Sequence, residues 1–140
     1  MNQEQIKLVK QSWKLFRNIE PALVGDLFYS KLFADNSGLR KMFPKDMSQQ
    51  YNKLIDMLTI IVIRLDHLDM LTGDITAMAQ RHAGYGVKPE HYKLVGNALL
   101  WTLEKGLGKD WTPEVKDAWE TCYTMLSSTM IAASSEAPAV

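Results

Sequence analysis

Apolar residues recur at helical spacing in nearly every segment of this 140-residue chain, and no segment alternates polar and apolar residues with a period of two. Offsets of three and four place side chains on one helix face. Six such faces can be traced without strict heptads, and the first is formed by Ile6, Val9, Trp13 and Phe16. The sequence therefore predicts an all-α fold, with helices packed into a globular domain rather than a coiled coil.

Helix boundaries are marked by capping residues, prolines and glycines. Asn2 and Gln5 form a potential capping pair for the first helix, and Pro21 stands at the first turn of the second. The remaining predicted segments are a short helical piece over 39–43 and longer helices over about 46–66, 71–83, from 89 and from 113. The tail from about Ser134 is small and polar, and we expect it to fray.

Charge balance and cysteine content narrow the class of protein. The chain has 16 basic and 16 acidic residues, so no basic surface for nucleic acid is indicated. Cys122 is the only cysteine, the N-terminus lacks the pattern of a signal peptide, and the apolar run 58–63 is too short to cross a membrane. We therefore expect a single cytoplasmic domain over residues 1–140, with no nucleic-acid or membrane partner.

One apolar stripe ends in a histidine. It consists of Leu71, Ile75, Met78 and His82. The helix is expected to break immediately afterwards, at Gly84. A neutral imidazole at the rim of an apolar pocket suits an axial iron ligand. The competing interpretation is a histidine that is simply hydrogen-bonded within the core.

The other two histidines are weaker candidates. His67 lies between acidic residues at a helix end and is expected to be solvated, and His91 lies in the first turn of a helix, either at the edge of a pocket or on the surface. No His-x-x-x-His or Glu-x-x-His pair is present, which argues against a zinc or di-iron site. A single protein ligand suffices only where a macrocycle supplies the others.

Motifs in the second half of the chain carry a family resemblance. In order they are Arg81-His82-Ala83-Gly84-Tyr85-Gly86-Val87, His91-Tyr92 with Val95-Gly96 and Leu99-Leu100, Leu107-Gly108, and Trp111-Thr112-Pro113-Glu114-Val115 with Ala118-Trp119 and Tyr123. Their order and spacing resemble the globin family, in particular single-domain bacterial haemoglobins and the globin half of flavohaemoglobins. The resemblance covers essentially the whole chain and implies a globin fold with noncovalently bound haem b.

The resemblance also implies roles for individual residues around the haem. His82 matches the proximal iron ligand, and Phe43 matches the phenylalanine that packs on the haem face. On the distal side, Tyr29 and Gln50 match the tyrosine and glutamine that donate hydrogen bonds to a bound gas, and Leu54 matches an aliphatic neighbour. Further predicted cofactor contacts are Val87, Tyr92, Lys53 and Arg81.

Spacing gives independent information on one of these positions, Gln50, and the residues themselves leave alternatives open. Gln50 interrupts an apolar stripe between Met47 and Leu54, and a polar side chain on a core face needs a partner. The alternative is that Gln50 reaches solvent, and that the hydroxyl of Tyr29 simply bonds a backbone carbonyl. Gly25, one turn before Tyr29, could allow another helix to approach closely.

Positions behind and beside the haem leave alternatives open. Tyr92 matches a tyrosine behind the proximal histidine, but the glutamate that accompanies it in flavohaemoglobins aligns with Ser134 here, although Glu136 is close. This departure argues against a strongly anionic proximal ligand and peroxidase-like chemistry. Lys53 and Arg81 could pair with the haem propionates or could lie on a solvated face.

The function implied by the resemblance is reversible binding of O₂ and other diatomic gases such as nitric oxide and carbon monoxide, for oxygen transport or storage. Two distal donors imply tight O₂ binding and slow release. One alternative is nitric oxide dioxygenation, which would need a separate reductase because no Gly-rich flavin or nicotinamide motif occurs in the chain. Another is haem-based gas sensing. We expect a monomer or a weak homodimer.

Overall fold

Six α-helices account for most of the computed structural model, which describes residues 1–67, 72–84 and 88–135. They are α1 (Gln3–Phe16), α2 (Pro21–Asp35), α3 (Ser48–Ile63), α4 (Thr72–Gly84), α5 (Pro89–Leu107) and α6 (Pro113–Ser135). No strand occurs in these described ranges. The all-α prediction is therefore confirmed.

Two helix starts follow the local sequence signals closely. The amide N–H of Gln5 donates to Asn2 Oδ1 at 2.8 Å, and the amide N–H of Asn2 donates to Gln5 Oε1 at 3.1 Å, so the predicted capping pair forms. Such a cap stabilises a helix by about 1 kcal/mol. α2 begins at Pro21, where a missing N–H leaves no hydrogen bond unmade.

The segment between α2 and α3 differs from the sequence prediction. It contains a 3₁₀ helix over Ser37–Met42 rather than a helical piece over 39–43. α3 begins at Ser48, two residues later than expected, because the carboxylate of Asp46 accepts hydrogen bonds from both the amide N–H and the hydroxyl of Ser48. Asp46 thus forms a turn ahead of the helix, and its pKa is lowered by these bonds.

The ends of two further predicted segments are also shifted. α3 stops at Ile63, and residues 65–67 form a 3₁₀ turn instead of continuing the helix to 66. α6 remains helical through Ser135, and the rest of the predicted tail lies outside the described residues. None of the described helices is both long and apolar enough to cross a membrane.

Two buried tryptophans join the first, third and last helices. The indole N–H of Trp119 donates to Ser12 Oγ at 2.8 Å, and that of Trp13 donates to Thr59 Oγ1 at 3.2 Å. The rings of Trp13 and Trp119 lie 5.9 Å apart. Because both indole N–H groups are satisfied, these large side chains can be buried without leaving a polar atom unpaired.

Gly25 sets the spacing of α2 and α3. A Cβ atom at this position would lie 2.5 Å from the ring of Tyr51, which no side chain could tolerate without movement. The close approach predicted for Gly25 is therefore confirmed. It brings the start of α3 against the middle of α2, where Tyr29 lies one turn further along.

Candidate functional site

The two predicted distal residues meet across the interface of α2 and α3. The side-chain amide of Gln50 donates a hydrogen bond to the hydroxyl oxygen of Tyr29 at 3.1 Å. Tyr29 is only 5% exposed, and Gln50 is half-buried. Gln50 thus finds the partner that a polar side chain on an apolar helix face requires.

The hydroxyl of Tyr29 retains its proton and its capacity to donate. Burial raises the pKa of Tyr29, an effect that the bond from Gln50 partly offsets and that the neighbouring Tyr51 reinforces. Because the hydroxyl oxygen accepts from Gln50, the O–H proton is free to be directed at a third group. The pair can therefore present hydrogen-bond donors to a small ligand.

Four aromatic rings surround Tyr29. Phe28 contacts it edge-on with centroids 4.8 Å apart, Phe43 edge-on at 5.3 Å, Tyr51 in a stacked arrangement at 5.8 Å, and Phe33 at 5.9 Å. Aromatic pairs at these distances contribute about 0.5–1.5 kcal/mol each beyond burial. Together these contacts restrict the movement of the Tyr29 ring.

Sequence reasoning missed three of these rings, Phe28, Phe33 and Tyr51, although the last two left a signal. Phe33 follows Tyr29 by four residues in α2, so the two share a helix face. Tyr51 follows Gln50 directly and fills the space left by Gly25. Phe43 and Leu54, which were predicted as haem contacts, are half-buried apolar side chains.

The side chain of His82, the predicted proximal ligand, contacts the backbone of its own helix. It lies in the last turn of α4, is half-buried, and its Nδ1 atom lies 2.7 Å from the carbonyl oxygen of Met78. A carbonyl only accepts, so Nδ1 is the donor, and in the neutral form of the ring the lone pair is on Nε2. Ile75 and Met78 are buried as the apolar stripe predicts, whereas Leu71 lies outside the described residues.

The residues predicted behind and beside the haem have different environments. Tyr92 is buried in α5, and its carbonyl oxygen accepts a hydrogen bond of 2.5 Å from the hydroxyl of Tyr123. Lys53 and Arg81 have exposed side chains. Val87 and the side chain of Ser134 lie outside the described part of the chain.

The two remaining histidines occupy the ends of helices. His67 is exposed in the turn after α3, in line with its predicted solvation. His91 is half-buried in the first turn of α5, where its Nδ1 atom accepts a hydrogen bond of 3.0 Å from the amide N–H of Lys88. This capping role was not predicted, although the spacing of three residues at a helix start is a signal for it.

Comparison with known proteins identifies the family. The family model for Globin matches residues 26–130, three quarters of the chain. The chain therefore belongs to the globin family, and haem is its cofactor. The predictions of family, globin fold and haem are confirmed.

The relatives include both long and short proteins. A flavohemoprotein of Vibrio cholerae is 29% identical over 134 residues, which cover 94% of this chain and 34% of that protein. An uncharacterized globin-like protein of Aquifex aeolicus is 29% identical over 131 residues, covering 94% of this chain and 92% of that protein. This chain thus spans about a third of the length of the flavohemoproteins that it matches.

Solved structures show the same fold. A bacterial globin from Campylobacter jejuni superposes with a TM-score of 0.84 at 22% identity, over 96% of this chain and 97% of that one. An engineered carbene transferase, made from a Rhodothermus marinus protein assigned as a nitric oxide dioxygenase, gives a TM-score of 0.86 at 24% identity, over 97% and 94% of the two chains.

The side chains described here fit a haem. His82 offers one imidazole nitrogen with a lone pair, which is the protein ligand that a haem iron takes in globins. Phe43 and Leu54 offer apolar surface to a macrocycle, and Tyr29 with Gln50 offers donors to a ligand of the iron. The chemistry of these groups therefore matches the cofactor that the family implies.

Proposed function

We propose that this globin binds O₂ and other diatomic gases reversibly, as an oxygen transport or storage protein, within one globin domain. The observation that carries the proposal is the 3.1 Å hydrogen bond between Gln50 and Tyr29. It unites two polar side chains from different helices inside an aromatic cluster, which is an arrangement suited to a small polarisable ligand.

On the proximal side, His82 is the proposed ligand of the iron through Nε2. The bond from Nδ1 to the Met78 carbonyl orients the ring and increases the basicity of Nε2. When bound, the haem supplies an iron atom with a further coordination position for O₂, nitric oxide or carbon monoxide. Tyr92 is proposed to pack behind His82, where the bond from Tyr123 secures its backbone.

The haem-contacting role of the remaining residues rests on the family pattern. Phe43 and Leu54 are proposed to pack on the macrocycle and to exclude water from the distal side. Val87 is proposed as a further apolar contact. Lys53 and Arg81 have exposed, cationic side chains, and they are proposed to pair with the haem propionates.

On the distal side, Tyr29 is the proposed donor to the gas. Gln50 donates a hydrogen bond to the hydroxyl oxygen of Tyr29 and offers a second donor to the gas. A hydrogen bond to a partly charged acceptor contributes roughly 1.5–3 kcal/mol, and each 1.4 kcal/mol is about tenfold in affinity. The pair therefore favours high O₂ affinity through slow dissociation.

The test is the absorption spectrum of the reconstituted ferrous protein with and without O₂, followed by the O₂ dissociation rate of Tyr29→Phe. We expect the rate to rise by roughly 10- to 100-fold. Tyr51→Phe is the matched control, because it removes a hydroxyl from the neighbouring ring of the cluster. An unchanged rate in Tyr29→Phe would show that the distal role is wrong.

A second candidate function is nitric oxide dioxygenation, favoured by the flavohemoprotein relatives. Nitric oxide and O₂ would combine to nitrate, with one electron supplied per turnover by a separate reductase. Sustained nitric oxide consumption with a reductase and O₂, at a rate that falls in Tyr29→Phe, would favour this function over simple gas binding. A gas-sensing role, a cytoplasmic location and a monomeric or weakly dimeric state remain predictions.

A further inference from the structure

We infer that Arg40 is a positioning residue for the distal pair, and that it acts by holding Phe43 and Phe33 against Tyr29. This inference rests on the proposed gas-binding function. Arg40 lies in the 3₁₀ segment Ser37–Met42, between the helices that carry Tyr29 and Gln50.

The guanidinium of Arg40 donates hydrogen bonds to three consecutive backbone carbonyls. Nη1 donates to the carbonyl oxygens of Phe43 and Pro44 at 3.2 and 2.9 Å, and Nη2 donates to that of Lys45 at 3.0 Å. These residues form the irregular link between the 3₁₀ segment and α3. Because such a link lacks the repeating hydrogen bonds of a helix, the side chain of Arg40 supplies its restraint.

The same guanidinium also lies over an aromatic ring. Its central carbon is 5.5 Å from the centroid of Phe33. Phe33 and Phe43 are 5.5 Å apart, and they lie 5.9 and 5.3 Å from Tyr29. Arg40 thus holds two sides of a three-ring group, one through the Phe43 backbone and the other through the face of Phe33.

This restraint matters because packing on one side of the rings is incomplete. A cavity of about 400 Å³ opens beside the group, and its lining includes Tyr29, Phe33, Arg40 and Tyr51. Aromatic side chains next to open space can shift more easily than those in a close-packed core. Displacement of Phe33 or Phe43 would change the packing against Tyr29 and so alter a geometry-dependent hydrogen bond.

Lysine could not replace this function. The guanidinium is planar and presents five N–H donors in a fixed fork, whereas an ammonium is a compact donor on a flexible stem. Three carbonyls together with a ring face need the planar group. The chain provides a matched control in Lys41, the next residue of the same segment, whose side chain is exposed.

The test compares Arg40→Met, Arg40→Lys and the control Lys41→Met in the haem-loaded protein. Two quantities are measured: the O₂ dissociation rate, and the infrared stretching band of bound carbon monoxide, which reports hydrogen bonding at the ligand. In Arg40→Met we expect roughly three- to tenfold faster O₂ dissociation, corresponding to about 0.7–1.4 kcal/mol, and a shifted or split carbon monoxide band. Arg40→Lys should be similar, and Lys41→Met unchanged.

A double-mutant cycle with Tyr29→Phe separates this inference from the proposed function. If Arg40 acts through Tyr29, adding Arg40→Met to Tyr29→Phe should change the dissociation rate less than twofold. If Arg40→Met accelerated O₂ dissociation as much in the Tyr29→Phe background as in the parent protein, the inference would be overturned. It would also be overturned if Arg40→Met alone lowered the melting temperature but left the carbon monoxide band unmoved. Failure of Tyr29→Phe itself to alter the rate would instead overturn the distal role.

Discussion

The imidazole of His82 is bonded to the carbonyl oxygen of Met78, one turn earlier in the same helix, with Nδ1 and the oxygen 2.7 Å apart. One short segment therefore supplies both the proposed ligand and the group that fixes its tautomer. Within the described residues, this bond from the same helix orients the ring.

The first prediction concerns this histidine. His82→Gly should lower haem affinity and abolish the spectrum of a histidine-ligated haem, because no side chain remains to donate Nε2. Added imidazole should restore that spectrum by entering the space left by the ring. Absorption titration with haem measures both effects.

His67→Ala is the control, since His67 is exposed in the turn after α3. It should bind haem like the parent protein. A His82→Gly variant that retained the parent spectrum without imidazole would contradict the assigned ligand.

The second prediction concerns the contact between α2 and α3. Gly25→Ala would place a Cβ atom 2.5 Å from the Tyr51 ring, and overpacking of this kind lowers the free energy of unfolding by about 1–3 kcal/mol. Alanine's better helix propensity offsets this by at most about 1 kcal/mol. Urea denaturation of the haem-loaded protein measures the difference.

Gly73→Ala provides the comparison. Gly73 also lies in a helix, but an added Cβ would meet nothing within 4 Å. Its substitution should leave stability unchanged or raise it. Equal effects of the two substitutions would show that the Tyr51 ring moves aside freely and that Gly25 does not set the helix spacing.

The third prediction concerns the one cysteine. Burial raises the pKa of the Cys122 thiol to about 12, so the thiol should be protonated and slow to react with a disulfide reagent at pH 8. Because its folded pKa lies above the unfolded value, Cys122 contributes stability at low and neutral pH. That contribution declines as pH rises through the unfolded value, about 8.5, toward the folded one.

Two measurements check this behaviour. Labelling should accelerate sharply in denaturant, and a Ser128→Cys thiol placed on the exposed face of α6 in a Cys122→Ser background should react rapidly without it. Rapid labelling of Cys122 in the native protein would contradict its burial.

Local signals predicted the helices better than they predicted the contacts between them. The Asn2–Gln5 cap and the start at Pro21 depend on neighbouring residues alone, so the sequence contains all of the information. The start of α3 lies two residues after the predicted one, because Asp46 and Ser48 are both good residues for a helix start. Only the structure shows that the Asp46 carboxylate accepts hydrogen bonds from Ser48 and lies outside the helix.

In the candidate site, too, the sequence predicted local features better than contacts between helices. Spacing indicated that Gln50 interrupts an apolar face, and the family resemblance supplied its pairing with Tyr29. Gly25 suggested a close approach, but its partner Tyr51 lies on a different helix and could not be identified from spacing. The role of Arg40 left no sequence signal at all, because its acceptors are backbone carbonyls, which every residue possesses.

The four rings around Tyr29 have a thermodynamic consequence for gas binding. They restrict the movement of the phenol when the protein folds, so an arriving ligand has less of that movement left to remove. A larger share of the hydrogen-bond free energy is then available to the complex. A chain with the same tyrosine and glutamine in a loosely packed pocket would have the same donors and a lower affinity for the gas.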